Sequence, residues 1–296
     1  MYKINHIKET NILEITTTDK TVFGKIYLNQ GASLQELTLN KSAIIQDLTP
    51  LEYQTTYASS ILFPFANRIK DGLYSFDNKE YQLEKNQEEE QNALHGFVYN
   101  KTFTVLSKEV SKTEATITLE YIENKKTKGF PYTYSILVTY IFRKDSLALK
   151  VDIKNTDSKT FPFTLGWHPY FISKNLSESN LSFDCKERLI IGDRNITTGT
   201  ENIQSKIDLE IKEQKLDDCW ILNTDKIVFN TPNYQLNFQS SVKENFLQAY
   251  TPPRANTIAI EPTTGVSNSF NNKIGLQTLP PKKEYSITWK INIIND

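Results

Sequence analysis

The segment Thr133–Arg143 reads TYSILVTYIFR, and after Lys144 and Asp145 the chain resumes at Ser146–Lys154 as SLALKVDIK. In the second run Leu147, Leu149, Val151 and Ile153 fall on one face, and Ala148, Lys150 and Asp152 on the other. A period of two puts successive side chains on opposite sides of an extended chain, so this run predicts a strand with one buried and one wetter face. The first run is more continuously apolar, which predicts a central strand covered on both sides. The polar Lys144-Asp145 step between them is turn chemistry.

The same period recurs outward from this pair. Ala115–Tyr121 alternates through Ile117, Leu119 and Tyr121, and Tyr285–Ile293 through Ile287, Trp289 and Ile291 against Ser286, Thr288, Lys290 and Asn292. Shorter strands are predicted at Ile12–Thr18, Val22–Leu28, Ser33–Leu39, Thr102–Ser107, Phe161–Leu165, Ile227–Asn230, Gln235–Gln239, Phe246–Tyr250 and Thr257–Glu261. Asp77-Asn78, Lys128-Gly129 and Asn155-Thr156-Asp157 supply turns between strands, and no long amphipathic helix is evident. Many strands joined by polar turns predict an all-β fold, a large antiparallel β-sandwich of packed sheets. Composition does not shift along the 296 residues, so one domain covering 1–296 is expected.

Thirty-four basic residues stand against 35 acidic ones, a formal net charge of −1. That balance lacks the basic field by which nucleic acid or an anionic membrane is held, and neither is expected as a partner. Aromatic content (16 Phe, 15 Tyr and 3 Trp) can fill a core or stack on a flat ligand face. Cys185 and Cys219 form no Cys-x-x-Cys pair, the N-terminus has no secretory apolar run, and no stretch approaches the ~20 apolar residues of a membrane span. A cytoplasmic protein is the expectation. The charged run Glu84–Gln91 (EKNQEEEQ) reads as a solvated loop.

Glycine-rich phosphate loops, His-Glu-x-x-His and Gly-x-Ser-x-Gly are all missing, and three histidines scattered at 6, 95 and 168 make a poor metal site. No cofactor and no metal is therefore expected, and the enzymatic option is acid–base chemistry by ordinary side chains. His95 lies in Asn92–Phe97 (NALHGF) and His168 in Leu165–Phe171 (LGWHPYF), each bracketed by glycine and aromatic residues. Glycine permits close backbone approach, and aromatic rings offer platforms for the apolar face of a pyranose. Taken alone, a histidine so placed is more often a packed structural residue than a catalyst. His6 has no such setting and reads as structural. Glu261 closes an apolar strand before Pro262, which holds it in an extended backbone; alone, an acidic residue so placed is more often a rim charge. Asn67 and Arg68, in Phe63–Ile69 (FPFANRI), suit a clamp for sugar hydroxyls or a plain salt bridge.

Together, Asn92–Phe97, Leu165–Phe171 and Glu261–Gly265 (EPTTG) resemble the aldose 1-epimerase family, whose members carry a His-Gly-Phe segment, a later His-x-Tyr-Phe segment and a C-terminal Glu-Pro-x-x-Gly segment in this order. Pro64–Ile69, Gly129–Pro131, Leu216–Trp220 (LDDCW) and Gln248–Pro252 (QAYTP) add supporting matches, so the likeness spans roughly residue 20 to the end. The resemblance implies a galactose mutarotase-like β-sandwich that interconverts sugar anomers. In it Glu261 takes the position of the general base, His168 that of the general acid and His95 that of a second histidine near the reacting end. Arg68 and Asp217 take those of hydroxyl-holding residues, with Asn67 beside them. A small sugar is the implied partner; oligomeric state is left open.

Trp167–Phe171 (WHPYF) differs from the Asn-His-Ser-Tyr-Phe of many galactose-specific members, so sugar identity does not follow. Hexose 6-phosphate mutarotases are also relatives, and Lys70, Arg188, Lys243 and Arg254 are the cations that would meet a phosphate. A non-catalytic sugar-binding sandwich is the second alternative. The third, a glycan-cleaving enzyme, needs a second carboxylate about 5–10 Å from Glu261, for which Asp217 is the candidate.

Overall fold

The computed structural model describes residues 1–242 and 245–294. The two runs that open the sequence argument pair antiparallel, from Tyr134 opposite Asn155 to Phe142 opposite Leu147. Along Tyr134–Arg143 the side chains of Tyr134, Ile136, Val138, Tyr140 and Phe142 are buried, while Ser135, Leu137, Thr139, Ile141 and Arg143 are only half-buried. The strand is central in its sheet but is not covered on both faces, contrary to the sequence expectation. Leu137 and Ile141 lie on the outer face, where their cross-strand neighbours Asp152, Glu120, Ala148 and Thr116 screen them in part.

About 56% of the residues are in strands and 7% in helices, far from the usual balance, which makes the chain all-β. The large sheet has fourteen strands. Its spatial order is Thr104–Val110, Glu114–Glu123, Tyr134–Arg143, Ser146–Asn155, Glu284–Ile294, Gln235–Ser240, Asp217–Asn230, Phe246–Tyr250, Thr257–Thr263, Gly166–Trp167 and Ile61–Leu62. Tyr170–Ile172 also pairs with Thr257–Thr263, and Asn180–Ile191 with Asp217–Asn230 and Thr197–Glu210. A second sheet of five strands runs as a meander: Tyr2–Ile7, Ile12–Thr17, Phe23–Tyr27, Ser33–Leu39 and Ser42–Ile45.

The five-stranded sheet covers the buried face of the large one. Leu13, Ile15, Ile26, Leu34 and Leu37 join Ile117, Val138, Leu149, Ile287 and Trp289 in one apolar cluster. The Tyr140 hydroxyl crosses the gap to donate to the Ala32 carbonyl at 2.9 Å. Gly24 is there because nothing larger fits: a β-carbon at that position would stand 2.5 Å from the Phe142 ring.

Three long strands, Asn180–Ile191, Thr197–Glu210 and Asp217–Asn230, were legible only at Ile227–Asn230. Thr197–Glu210 is largely exposed, and its apolar face is confined to Ile203, Ile207 and Leu209, partly buried against the core. Asn180–Ile191 breaks its period at register shifts between Phe183, Cys185 and Glu187. The described helices α-helical in form are four-residue turns, Tyr53–Thr56 and Ser269–Asn272. Among the described residues no helix is long and apolar enough to cross a membrane.

Gly24→Val is expected to cost about 1–3 kcal/mol in urea unfolding, because the added methyl groups meet a packed ring. Phe142→Leu in the same chain should recover part of that loss, and a pair of purely additive effects would contradict the packing described.

Candidate active site

Period-two geometry assembles one wall of a cleft. Glu261 stands opposite Gln248, Gln248 opposite Cys219, and Tyr250 opposite Asp217. Residues two apart on a strand share a face, so Asp217, Gln248, Tyr250 and Glu261 all project from the same side of the sheet. The other wall comes from loops. His95 and Gly96 both adopt left-handed backbone (φ 60° and 71°), as does Asn67 (φ 59°). The His95 amide donates to the Asn67 carbonyl at 2.9 Å, and Phe97 to that of Phe63 at 2.8 Å. At Gly96 a β-carbon would collide with the Phe63 carbonyl, so glycine is required by both φ and space. His168 follows Gly166–Trp167 at the sheet edge, its amide donating to Ser60 and its carbonyl accepting from Ser59.

All six residues singled out in the sequence (Asn67, Arg68, His95, His168, Asp217 and Glu261) line this one cleft of about 420 Å³. His168 Nε2 lies 3.4 Å from Glu261 Oε1, with both side chains almost fully out of solvent. The His168 ring stacks on Tyr170 (5.0 Å, 25°) and meets His95 edge-on at 5.1 Å. His95 leans in turn on Tyr57 at 4.8 Å. Asp217 Oδ1 accepts from Gln248 Nε2 at 2.7 Å, and Gln248 Oε1 accepts from Asn67 at 3.4 Å. Gln248 thus joins the two hydroxyl-holding candidates. His6 bonds Asn11 within the five-stranded sheet and is absent from the cleft.

Burial pushes the Glu261 carboxyl well above its ordinary range, with Asp217 adding to the rise and Arg68 opposing it. It pulls His168 down to about 4, and His95 well below its ordinary value, helped by His168 and Arg68. Asp217 is raised by burial, against the pull of Arg68. The sequence argument took a charged histidine beside an ionised glutamate. Removal of water disfavours both charges, so burial moves each member of the pair toward its neutral form.

The run Glu84–Gln91 is more than a solvated loop. Glu90 enters the cleft and pairs with Arg68 (Nε to Oε2, 2.7 Å), while Arg68 also donates to Asn67 Oδ1 at 3.1 Å. Arg194 pins that loop from behind, donating to the Glu90 carbonyl, Asp71 Oδ1 and Asn92 Oδ1 at 2.7–2.8 Å. Asn195 Nδ2 reaches Glu90 Oε1 at 2.8 Å. Glu90, Arg194, Asn195 and Gln248 were missed in the sequence. Glu90 had a signal in its charged run, whereas Arg194 and Asn195 sit on a left-handed turn a hundred residues away with no local mark.

Of the cations considered for a phosphate, Lys70, Arg188 and Arg254 are absent from the cleft lining, and Lys243 lies outside the described residues. Arg188 pairs instead with Asp218, on the opposite face of its strand from Asp217.

The sequence model of the family described as aldose 1-epimerase matches residues 14–292. The uncharacterized protein YihR of Escherichia coli (strain K12) is 23% identical over 280 residues, 88% of this chain and 87% of YihR. The fold is similar to that of a galactose mutarotase-like protein from Clostridium acetobutylicum, with a TM-score of 0.86, 19% identity and coverage of 100% and 99% of the two chains. It is also similar to galactose 1-epimerase from Lactobacillus acidophilus, with a TM-score of 0.80, 17% identity and the same coverage.

Burial of His168 has a sign that unfolding can read. Between its ordinary value of 6.5 and about 4, the unfolded chain takes up a proton that the folded site refuses, so stability falls as pH falls through that window. His168→Asn should remove up to about 3 kcal/mol of that acid loss in urea unfolding followed from neutral pH downward. Equal losses in the two proteins would show that His168 is not held neutral by burial.

Proposed function

The chain belongs to the aldose 1-epimerase family, and on that premise we propose that it interconverts the α and β anomers of an uncharged aldohexose by acid–base ring opening and closure. The observation that carries the proposal is the contact of His168 Nε2 with Glu261 Oε1 at 3.4 Å inside a buried, sugar-sized cleft. Two proton-exchanging groups so close, with no solvent to dissipate the proton, suit a reaction that removes one proton and delivers another.

In the proposed reaction the sugar lies against the pair, with its anomeric hydroxyl at Glu261 and its ring oxygen at His168. With a proton on His168 and none on Glu261, the carboxylate accepts the proton of the anomeric hydroxyl. The C1–O1 bond becomes a carbonyl, the C1–O5 bond breaks with its electrons going to O5, and His168 delivers its proton there. Rotation about C1–C2 presents the other face of the aldehyde. Closure then runs the same steps backwards, with His168 as base and Glu261 as acid. His95 stays neutral beside them, suited to hydrogen-bonding the sugar at the reacting end. Asp217, Asn67 and Arg68, cross-braced by Gln248 and Glu90, are suited to holding the remaining hydroxyls.

An uncharged substrate is favoured by the lining itself. Among the described residues Glu89, Glu90 and Asp217 face a single cation, Arg68, whose Nε is already committed to Glu90. A phosphate entering that field meets repulsion and no free cation cluster. Both cysteines are free, which agrees with the reducing cytoplasm proposed as its working place.

Glu261→Gln and His168→Asn should each lower anomer interconversion by at least about a hundredfold, read by saturation-transfer NMR or polarimetry on freshly dissolved α-glucose and α-galactose. Near-normal rates in both folded variants would remove the assignment, and retained sugar affinity without turnover in the unmutated protein would favour a binding protein.

The pH profile of kcat/KM, corrected for the uncatalysed rate, should be a bell. Its acid limb should lie near the value of about 4 set for His168, where a second proton enters the pair. Its alkaline limb should lie above the ordinary carboxylate range, where the only proton leaves. An acid limb at the ordinary histidine value would contradict the burial of His168.

A further inference from the structure

The carboxylate of Glu90 is held from two directions inside the cleft. Its Oε2 accepts from Arg68 Nε at 2.7 Å and its Oε1 from Asn195 Nδ2 at 2.8 Å, while Arg194 Nε donates to the carbonyl of the same residue at 2.7 Å. The side chains of Arg68 and Glu90 retain only 14% and 22% exposure, so solvent screens the pair weakly. Arg194 and Asn195 stand in left-handed backbone (φ 59° and 55°), and that turn is anchored separately by the Ser267 hydroxyl, which donates to the Asn195 carbonyl. None of these hydrogen bonds involves Glu261 or His168, so the fold spends a remote turn on placing one carboxylate against one guanidinium.

A guanidinium takes a carboxylate or phosphate best along its planar edge, through two parallel N–H groups. Glu90 fills the Nε edge of Arg68, and Nη1 donates to Asn67 Oδ1 at 3.1 Å. Among the described residues that line the cleft, Arg68 is the only lysine or arginine. A neutral hydroxyl can still accept from the remaining N–H groups. A ligand carboxylate would have to displace Glu90 and then lie beside it.

We infer that Glu90 is a specificity-determining residue: by occupying Arg68 it bars aldoses that carry an anionic group, a carboxylate at C6 above all, from a cleft that admits their neutral counterparts. The inference rests on the mutarotase reading of the cleft and names the device behind its preference for uncharged sugars. Glu90 acts through Arg68, as a positioning residue, and the discrimination comes from built-in repulsion rather than from shape.

Glucuronate and glucuronamide share a ring and an anomeric carbon and differ at C6 by one charge. In the unmutated chain kcat/KM for the amide should exceed that for the acid by about tenfold or more, the scale of one unscreened like-charge contact. Glu90→Gln keeps an acceptor for Asn195 and loses the charge; it should cut that ratio to about threefold or less, mainly by lowering KM for the acid. Glu89→Gln removes a charge from the same lining while Arg68 stays paired, and should leave the ratio within about twofold. Asn195→Ala leaves every charge in place and frees Glu90 Oε1. It should narrow the ratio part-way, and it gives a second reading should Glu90→Gln fail to fold. Calorimetry with the two sugars in the Glu261→Gln background reads the same selectivity as affinity, independent of turnover. No preference for the amide in the unmutated chain, a ratio unmoved by Glu90→Gln and Asn195→Ala, or an equal drop on Glu89→Gln overturns the role of Glu90. Absent turnover on every aldose, with the affinity selectivity present and lost on Glu90→Gln, overturns the mutarotase reading and leaves the role of Glu90 standing.

Discussion

A carboxyl and an imidazole taken out of water together, 3.4 Å apart, set the terms for this molecule. Each would be charged in solution at some accessible pH, and burial penalises both charges. Burial moves each toward its neutral form, and Arg68 opposes the rise at Glu261. A more exposed pair would separate into an ordinary glutamate and an ordinary histidine. A drier one without Arg68 would lock the proton on the carboxyl.

Placing such a pair demands a rigid support on each side. Glu261 comes from a strand paired on both edges, with Gln248 opposite it on one side and Tyr170–Ile172 and Gly166–Trp167 on the other. His168 leaves the sheet at that same edge, where Ser59 and Ser60 fix its backbone on both sides. His95 is held by the opposite strategy, a left-handed turn backed onto the Phe63 carbonyl through a glycine. The pair and its neighbour therefore do not depend on one another for position, which suits side chains that must exchange protons without moving.

The Arg68 side of the cleft is built from charge rather than backbone. Arg194 gathers Asp71, Glu90 and Asn92, three acceptors from two segments, and so presents Glu90 to Arg68. Among the described residues, Glu89, Glu90 and Asp217 with one engaged arginine, Arg68, make the cleft unfavourable for anions.

What the sequence alone determined is what local periodicity and short motifs encode. The alternation at Ser146–Lys154 and Tyr285–Ile293, with its turns, was enough for an all-β antiparallel fold, because a period of two has one structural meaning. The segments Asn92–Phe97, Leu165–Phe171 and Glu261–Gly265 pointed to the cleft only together, through the resemblance of their order to a known family, since each alone reads as structure. Only the tertiary structure decided that Thr133–Arg143 is covered on one face, that Thr197–Glu210 is a strand, and that Glu90 and Arg194 serve the cleft. Burial, sheet partners and electrostatic neighbours are properties of residues tens to hundreds of positions apart, and no local pattern records them.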